Sequence, residues 1–272
     1  MMKTVKEDIK EDLKNTCLTV SFELKKHFRM KRMIISFGLA IGLPLIFYIV
    51  PRIWASFPDT AEGFATLNLS FVNLLIIISG SLFAGDAVVG EFEEKTGLLL
   101  FSTPQRHSTI FIGKYIGALL PTLAVVSIYY LTTSLEIVGI YGTGGLSIEL
   151  FQSFIISLVY TTSAVSLIFF FSSILKRKIT STLLGFFSLI MILPIIESVL
   201  QFLVEVEPWY ILTYSAGLIT DVFVSVPPIG GGPGGQVGQF SPDFYMGLTI
   251  MVLHTLVLFF LSVFIANRRR ME

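Results

Sequence analysis

The chain has 272 residues, 53% of them hydrophobic and 14% charged, with a net charge of zero. Soluble domains carry about a quarter charged residues, so this composition excludes them and fits a polytopic membrane protein. The neutral balance gives no bulk attraction to nucleic acid, and a single cysteine, Cys17, rules out an internal disulfide and any Cys-based zinc site.

The first 32 residues mix acids with many Lys and Arg and are too long and too charged for a cleavable signal peptide. Within them Ile9, Leu13, Cys17, Val20, Leu24 and Phe28 recur at spacings of three and four, one face of an α-helix. Lys14, Ser21, Lys25 and Arg29 lie off that face. A basic amphipathic helix of this kind lies in the plane of the lipid headgroups.

A span needs roughly 20 mainly apolar residues. Six runs qualify, at about 33–50, 66–85, 110–135, 151–175, 179–204 and 245–266. The expected fold is therefore an all-α integral membrane protein forming a single transmembrane domain over residues 1–272. Gly38, Gly42 and Pro44 in the first run, Pro121 in the third, and Gly185 and Pro194 in the fifth allow close helix contact or bend the helix. Ser157, Thr161, Thr162, Ser163 and Ser166 in the fourth run either line a polar path or bond to carbonyls one turn back, and the second is the commoner use.

Charge orients the spans. With six spans, 18 of the 19 Lys and Arg fall on one side, and Arg52 is the exception. The positive-inside rule places that side, with both termini, in the cytoplasm of a multi-pass cell-membrane protein. The opposite loops hold Asp59, Glu62, Glu136, Glu149, Glu205, Glu207, Asp221 and Asp243, the ordinary converse of keeping cations inside. Two ionisable groups lie within spans, Glu197 and His254, and an intramembrane ionisable residue is a candidate for the transport path. The outer loop 205–244 contains Trp209 and Tyr210, suited to the interface, and then an apolar stretch, 211–224, that reads as a short helix on or re-entering the outer leaflet. A Pro/Gly-rich stretch follows at 226–242 and cannot build a core.

The segment Gly85–Lys114 stands apart. It lies between two apolar runs yet holds Asp86, Glu91, Glu93, Glu94, Lys95, Arg106, His107 and Lys114, too many charges for hydrocarbon. Gly97 introduces the cluster Leu98–Phe101 and Pro104 ends it, which reads as a short amphipathic helix docked at the membrane surface over 86–109.

Several chemistries are missing from the sequence. It contains no G-x-x-x-x-G-K-[ST], so this chain has no P-loop for ATP hydrolysis. The three His lie in different regions, without metal-ligand spacing, and no G-x-S-x-G elbow occurs. Glu93-Glu94 matches half of a prenyl-endopeptidase motif, but Leu98 stands where that motif needs Arg.

Glu91 and Glu94, Gly97-Leu98-Leu99, Ser102-Thr103-Pro104-Gln105-Arg106 and Gly113-Lys114 together resemble the segment after the second span of type-2 ABC transporter permeases. The usual Gly-Thr order is inverted here, as Thr96-Gly97. The chain is most similar to the copper-enzyme-maturation and multidrug-export branch. That resemblance implies an N-terminal elbow helix, six spans, and an outer re-entrant helical element between spans five and six. It implies a permease with no cofactor of its own, paired with a second permease subunit as a homodimer and with two copies of an ATPase that binds ATP. Glu91, Glu93, Glu94, Gly97, Leu98, Leu99, Pro104, Arg106 and Lys114 would then form the coupling segment on which the ATPase docks. A secondary transporter or channel working alone is the alternative, and it would need more charged pairs deep in the spans than Glu197 and His254.

Overall fold

The computed structural model describes residues 5–54, 57–94, 106–223, 240 and 242–268, with side chains from Lys10 onward. Among them every regular element is a helix. In chain order these are α1 (Val5–Phe28), α2 (Lys31–Trp54), α3 (Ala61–Leu69), α4 (Val72–Ala84), α5 (Val89–Glu93), α6 (His107–Tyr141), α7 (Ile148–Ile174), α8 (Lys178–Phe187), α9 (Leu193–Phe202), α10 (Leu212–Ala216), α11 (Leu218–Asp221) and α12 (Phe244–Arg268). Six stretches are long and apolar enough to cross a membrane: α2, α3 to α5, α6, α7, α8 to α9, and α12. Each overlaps one of the six apolar runs.

The centre is built from α4, α6 and α7, where Leu75, Ile76, Val125, Tyr129, Tyr160, Ile168 and Phe169 are fully buried. Helices α2, α8, α9 and α12 sit outside and expose large apolar side chains such as Ile53, Ile179 and Phe260. Lipid tails are as apolar as these groups, so such exposure carries no water penalty in a bilayer. What joins the central helices is largely hydroxyl chemistry. Tyr130 shares hydrogen bonds of 2.7 Å with both Ser153 and Ser157. Tyr115 meets Ser166 at 2.9 Å, and Ser163 meets Thr255 of α12 at 2.8 Å. Thr161 also bonds back to the Ser157 carbonyl and Ser166 to that of Thr162. The Ser/Thr-rich face of α7 thus joins helices and satisfies its own backbone.

Two boundaries and one helix interior differ from expectation. The second span starts at Ala61, where the Thr60 hydroxyl accepts the Gly63 N–H at 3.1 Å and so caps the helix. The third runs on to Tyr141, so Glu136 lies inside a helix and not in an outer loop. It is buried because Asn68 of α3 donates to it at 3.1 Å. The fifth is continuous but contains a π turn over Ser188–Ile192, directly before Pro194. Proline cannot donate to the helical ladder, and a wider turn accommodates that gap. The outer apolar stretch forms α10 and α11, both buried. Most of 226–242 lies outside the described residues.

Helix α1 shows its apolar face in an unexpected setting. Leu13, Phe22 and Phe28 are 62%, 69% and 67% exposed. The covered stripe is a third one, running through Thr16, Thr19, Glu23 and His27, with Glu23 and His27 buried, while Lys14, Ser21, Lys25 and Arg29 are exposed as well. That stripe rests on a groove in α6 made by Gly113 and Gly117. A Cβ at Gly113 would lie 2.6 Å from Thr19 Cβ, and one at Gly117 would lie 2.6 Å from Glu23 Cβ. Spacing of two glycines by four lets helix backbones approach closely. Gly117→Leu is expected to push α1 off its seat at a cost of roughly 1–3 kcal/mol, the usual range for overpacking. The checks are a lower thermal midpoint in detergent and faster tryptic cleavage after Lys14 and Lys25.

Candidate coupling site at the charged end of the bundle

Among the described residues of Gly85–Lys114, the charges of Asp86, Glu91, Glu93, Glu94, Arg106 and Lys114 gather at the end of the bundle that also holds α1. At the centre is Lys114, on the first turns of α6 and only 2% exposed. Its ammonium meets the Glu91 carboxylate of α5 at 2.7 Å and, in a short contact, the Glu23 carboxylate of α1. Burying an ammonium costs several kcal/mol unless opposite charges compensate it, and here two do. Lys26, at 3.7 Å from Glu23, adds a second positive charge at the rim. One buried cation therefore joins three helices.

The flanking groups extend this joint. The Arg32 guanidinium grips Asp86 with two parallel bonds of 3.0 Å and also donates to the Leu82 carbonyl. Such a fork fixes orientation as well as charge. The Val88 and Val89 N–H groups donate to Ser172 Oγ at 3.0 and 3.2 Å, which holds α5 against the end of α7. Glu93 accepts the Lys178 N–H at 2.6 Å and so caps α8, while Glu94 pairs with the Lys178 ammonium. On the far side Arg106 pairs with Asp12 of α1 at 3.0 Å. Asn267 of α12 donates to Ser108 at 3.0 Å. Both flanks of 95–105 are thereby fixed, one to α8 and the other to α1.

His27 completes the joint. Its ring meets Phe83 edge-on at 5.1 Å, and its Nδ1 is buried with no hydrogen-bond partner. Burial holds the imidazole pKa down to about 4, against a pull upward from Glu23 and helped by Arg32. The ring is therefore neutral where α1 packs.

Of the residues singled out from sequence, Glu91, Glu93, Glu94, Arg106 and Lys114 are brought to this joint. Gly97, Leu98, Leu99 and Pro104 lie outside the described residues. Lys114 is buried and holds the joint from within. Glu197 and His254 belong elsewhere. Glu197 is buried and accepts from Thr213 at 2.9 Å and from Gln201 at 3.4 Å. His254 bonds through Nδ1 to the Ile250 carbonyl at 3.0 Å. Sequence reasoning missed Glu23, His27, Arg32 and Asp86 as members of the site. Two signals pointed to them: an acid set just before a run of basic residues, and the Gly113-x-x-x-Gly117 pair bracketing Lys114.

Lys114→Met is expected to destabilise by about 3–5 kcal/mol, because it strands buried carboxylates. Glu23→Gln should cost less, about 1.5–3 kcal/mol, since Glu91 still pairs with Lys114. Thermal unfolding of the two variants orders them. For His27 the unfolded ring takes a proton near pH 6.5 while the folded one resists until about pH 4. Its contribution is then complete above about 6.5 and lost as pH falls towards 4. His27→Leu should flatten the fall in thermal midpoint across that window, and an unchanged slope would refute the assignment.

The comparisons with known proteins bear on the whole arrangement. No curated protein matches the chain. The family model described as "ABC-2 family transporter protein" matches residues 4–208, a stretch that contains α1, the charged joint and five of the six spanning stretches. With that match over most of its length, this chain belongs to the ABC-2 family of transporter proteins.

Proposed function

We propose that the chain is the membrane-spanning permease subunit of an ATP-driven exporter, with ATP hydrolysed by a separate subunit docked over 95–105. In this reading two permease copies work with two ATPase copies in the cell membrane, with both termini and the charged joint in the cytoplasm. The observation that carries it is the anchoring of both flanks of that segment, through Glu93 and Glu94 to Lys178 and through Arg106 to Asp12. A load applied between those flanks reaches α8 on one side and α1 on the other. It passes also through Glu91 and Lys114 into α6.

An ATP-driven chain without a P-loop of its own must receive work from a partner that has one, and in this reading the joint is where that work enters. The energetic logic is that of a bistable bundle whose two states bind the closed and open ATPase pair with different affinity. The docking contacts assigned to the coupling segment 86–109 are an apolar anchor, Leu98 and Leu99 after Gly97, and Glu91, Glu93, Glu94 and Arg106 as charges at its rim.

The test is copurification with the partner ATPase in reconstituted vesicles, followed by ATPase stimulation over lipids, amphipathic drugs and peptides. Glu94→Lys and Gly97→Trp should insert normally and reduce substrate-stimulated turnover at least ten-fold. Normal stimulation in both variants would defeat the coupling assignment. Failure of any ATPase to copurify would favour a transporter or channel working alone.

A further inference from the structure

At the outer end of the bundle, away from the charged joint, one buried acid meets no cation. Glu136 of α6 is only 7% exposed. Five residues of helix, about 8 Å, separate it from the end of α6 at Tyr141. Asn68 of α3 meets it, and the surroundings fix which way that amide points. The Tyr129 hydroxyl donates to the Asn68 carbonyl at 2.6 Å and to Oδ1 at 2.9 Å, and the Thr133 hydroxyl reaches Oδ1 at 3.4 Å. Asn68, Tyr129 and Thr133 are all fully buried. With Oδ1 turned to hydroxyl donors, Asn68 Nδ2 faces Glu136 and donates to Oε2 at 3.1 Å. Glu136 Oε1 is buried with no partner.

These contacts suit one charge state. An ionised carboxyl is purely an acceptor with about four sites to fill, and here one donor reaches it. A carboxylate buried without a cation takes up a proton in preference to staying charged. The ionisable groups at this end of its own and neighbouring elements are Tyr129 and Tyr141 of α6, Glu62 of α3, Glu149 of α7, Asp221 of α11 and Arg52 of α2. All but Arg52 are neutral or negative, and Arg52 donates to Tyr48 of its own helix at 2.9 Å. Among the described residues no Lys, Arg or His forms an ion pair with Glu136. Nor, among them, does any group of His, Cys, Asp and Glu side chains form a set that could hold a metal ion.

We propose that Glu136 is a proton-binding site: its carboxyl is held as the neutral acid, and release of that proton parts the outer end of α3 from α6. The neutral acid accepts from Asn68 through one oxygen and keeps an uncharged hydroxyl at the other, which burial tolerates far better than a charge. Loss of the proton leaves a charge that one amide cannot meet, and separation of the two helices is what admits water to meet it. The site stands apart from the coupling segment and does not depend on the export reading.

The test compares wild type with Glu136→Gln in lipid nanodiscs by infrared spectroscopy. Gln keeps an oxygen for the Asn68 amide and has no proton to lose. At neutral pH the wild-type-minus-variant spectrum should contain the carbonyl stretch of a protonated carboxyl, and that band should vanish on alkalinisation. Amide hydrogen exchange in Ala61–Leu69, read by mass spectrometry as wild type relative to Glu136→Gln at each pH, should rise at least about three-fold as the band vanishes. Glu62→Gln, exposed on the same helix, should keep both the band and the response. Glu136→Leu, which needs no hydrogen bond at the site, is the second variant and should likewise lack both. A difference spectrum holding only carboxylate bands at neutral pH would overturn the proton site. Exchange in Ala61–Leu69 that stays equal to that of the variants while the band vanishes would overturn the parting of the helices.

Discussion

The Lys114 ammonium, shared by Glu23 and Glu91, is the interaction on which the rest of the arrangement depends. A lone ammonium cannot be buried at the end of a helix bundle without a partner, and each carboxylate would lose its nearest cation without the lysine. The three groups therefore enforce the mutual position of α1, α5 and α6. The glycine groove explains how the Thr19 and Glu23 side of α1 comes close enough for this to work. Charge supplies the specificity and close backbone approach supplies the geometry.

The two halves of the molecule use polar groups differently. At the charged end, ionised side chains cross between helices in pairs with short contacts. In the middle, neutral hydroxyls do that work, as in the Tyr130–Ser153–Ser157 and Ser163–Thr255 contacts. Hydrocarbon makes ionised pairs expensive and leaves hydroxyls affordable, so the change follows from depth. Asn68 and Glu136 mark the far boundary, where a carboxyl group again enters a helix once an amide is present to meet it.

Much of this fold was legible in the sequence because the bilayer allows few solutions. Apolar runs of the right length fixed the six spans, and the lopsided Lys and Arg distribution gave them a common sense. Features that depend on a partner residue were not legible. Glu136 read as a loop acid because nothing near it in the chain shows that Asn68, far away in sequence, would bond to it. Lys114 read as a member of the coupling segment, and its buried pairing was not legible because its two carboxylates lie 91 and 23 residues away. The apolar stripe of α1 was visible, but which face would meet protein was not, because in a membrane an apolar stripe has lipid as well as protein to face.

That seating of α1 on its Thr19, Glu23 and His27 stripe alters how substitutions on it should be judged. In a water-soluble bundle the apolar positions are the constrained ones and the polar positions drift. Here the small and polar positions, Thr19 and Glu23 above all, are fitted against glycine and lysine, while Leu13 and Phe22 face outward. Leu13 and Phe22 need only remain greasy, so their shapes are interchangeable. A redesign guided by hydrophobicity alone would protect the tolerant face and rework the fitted one.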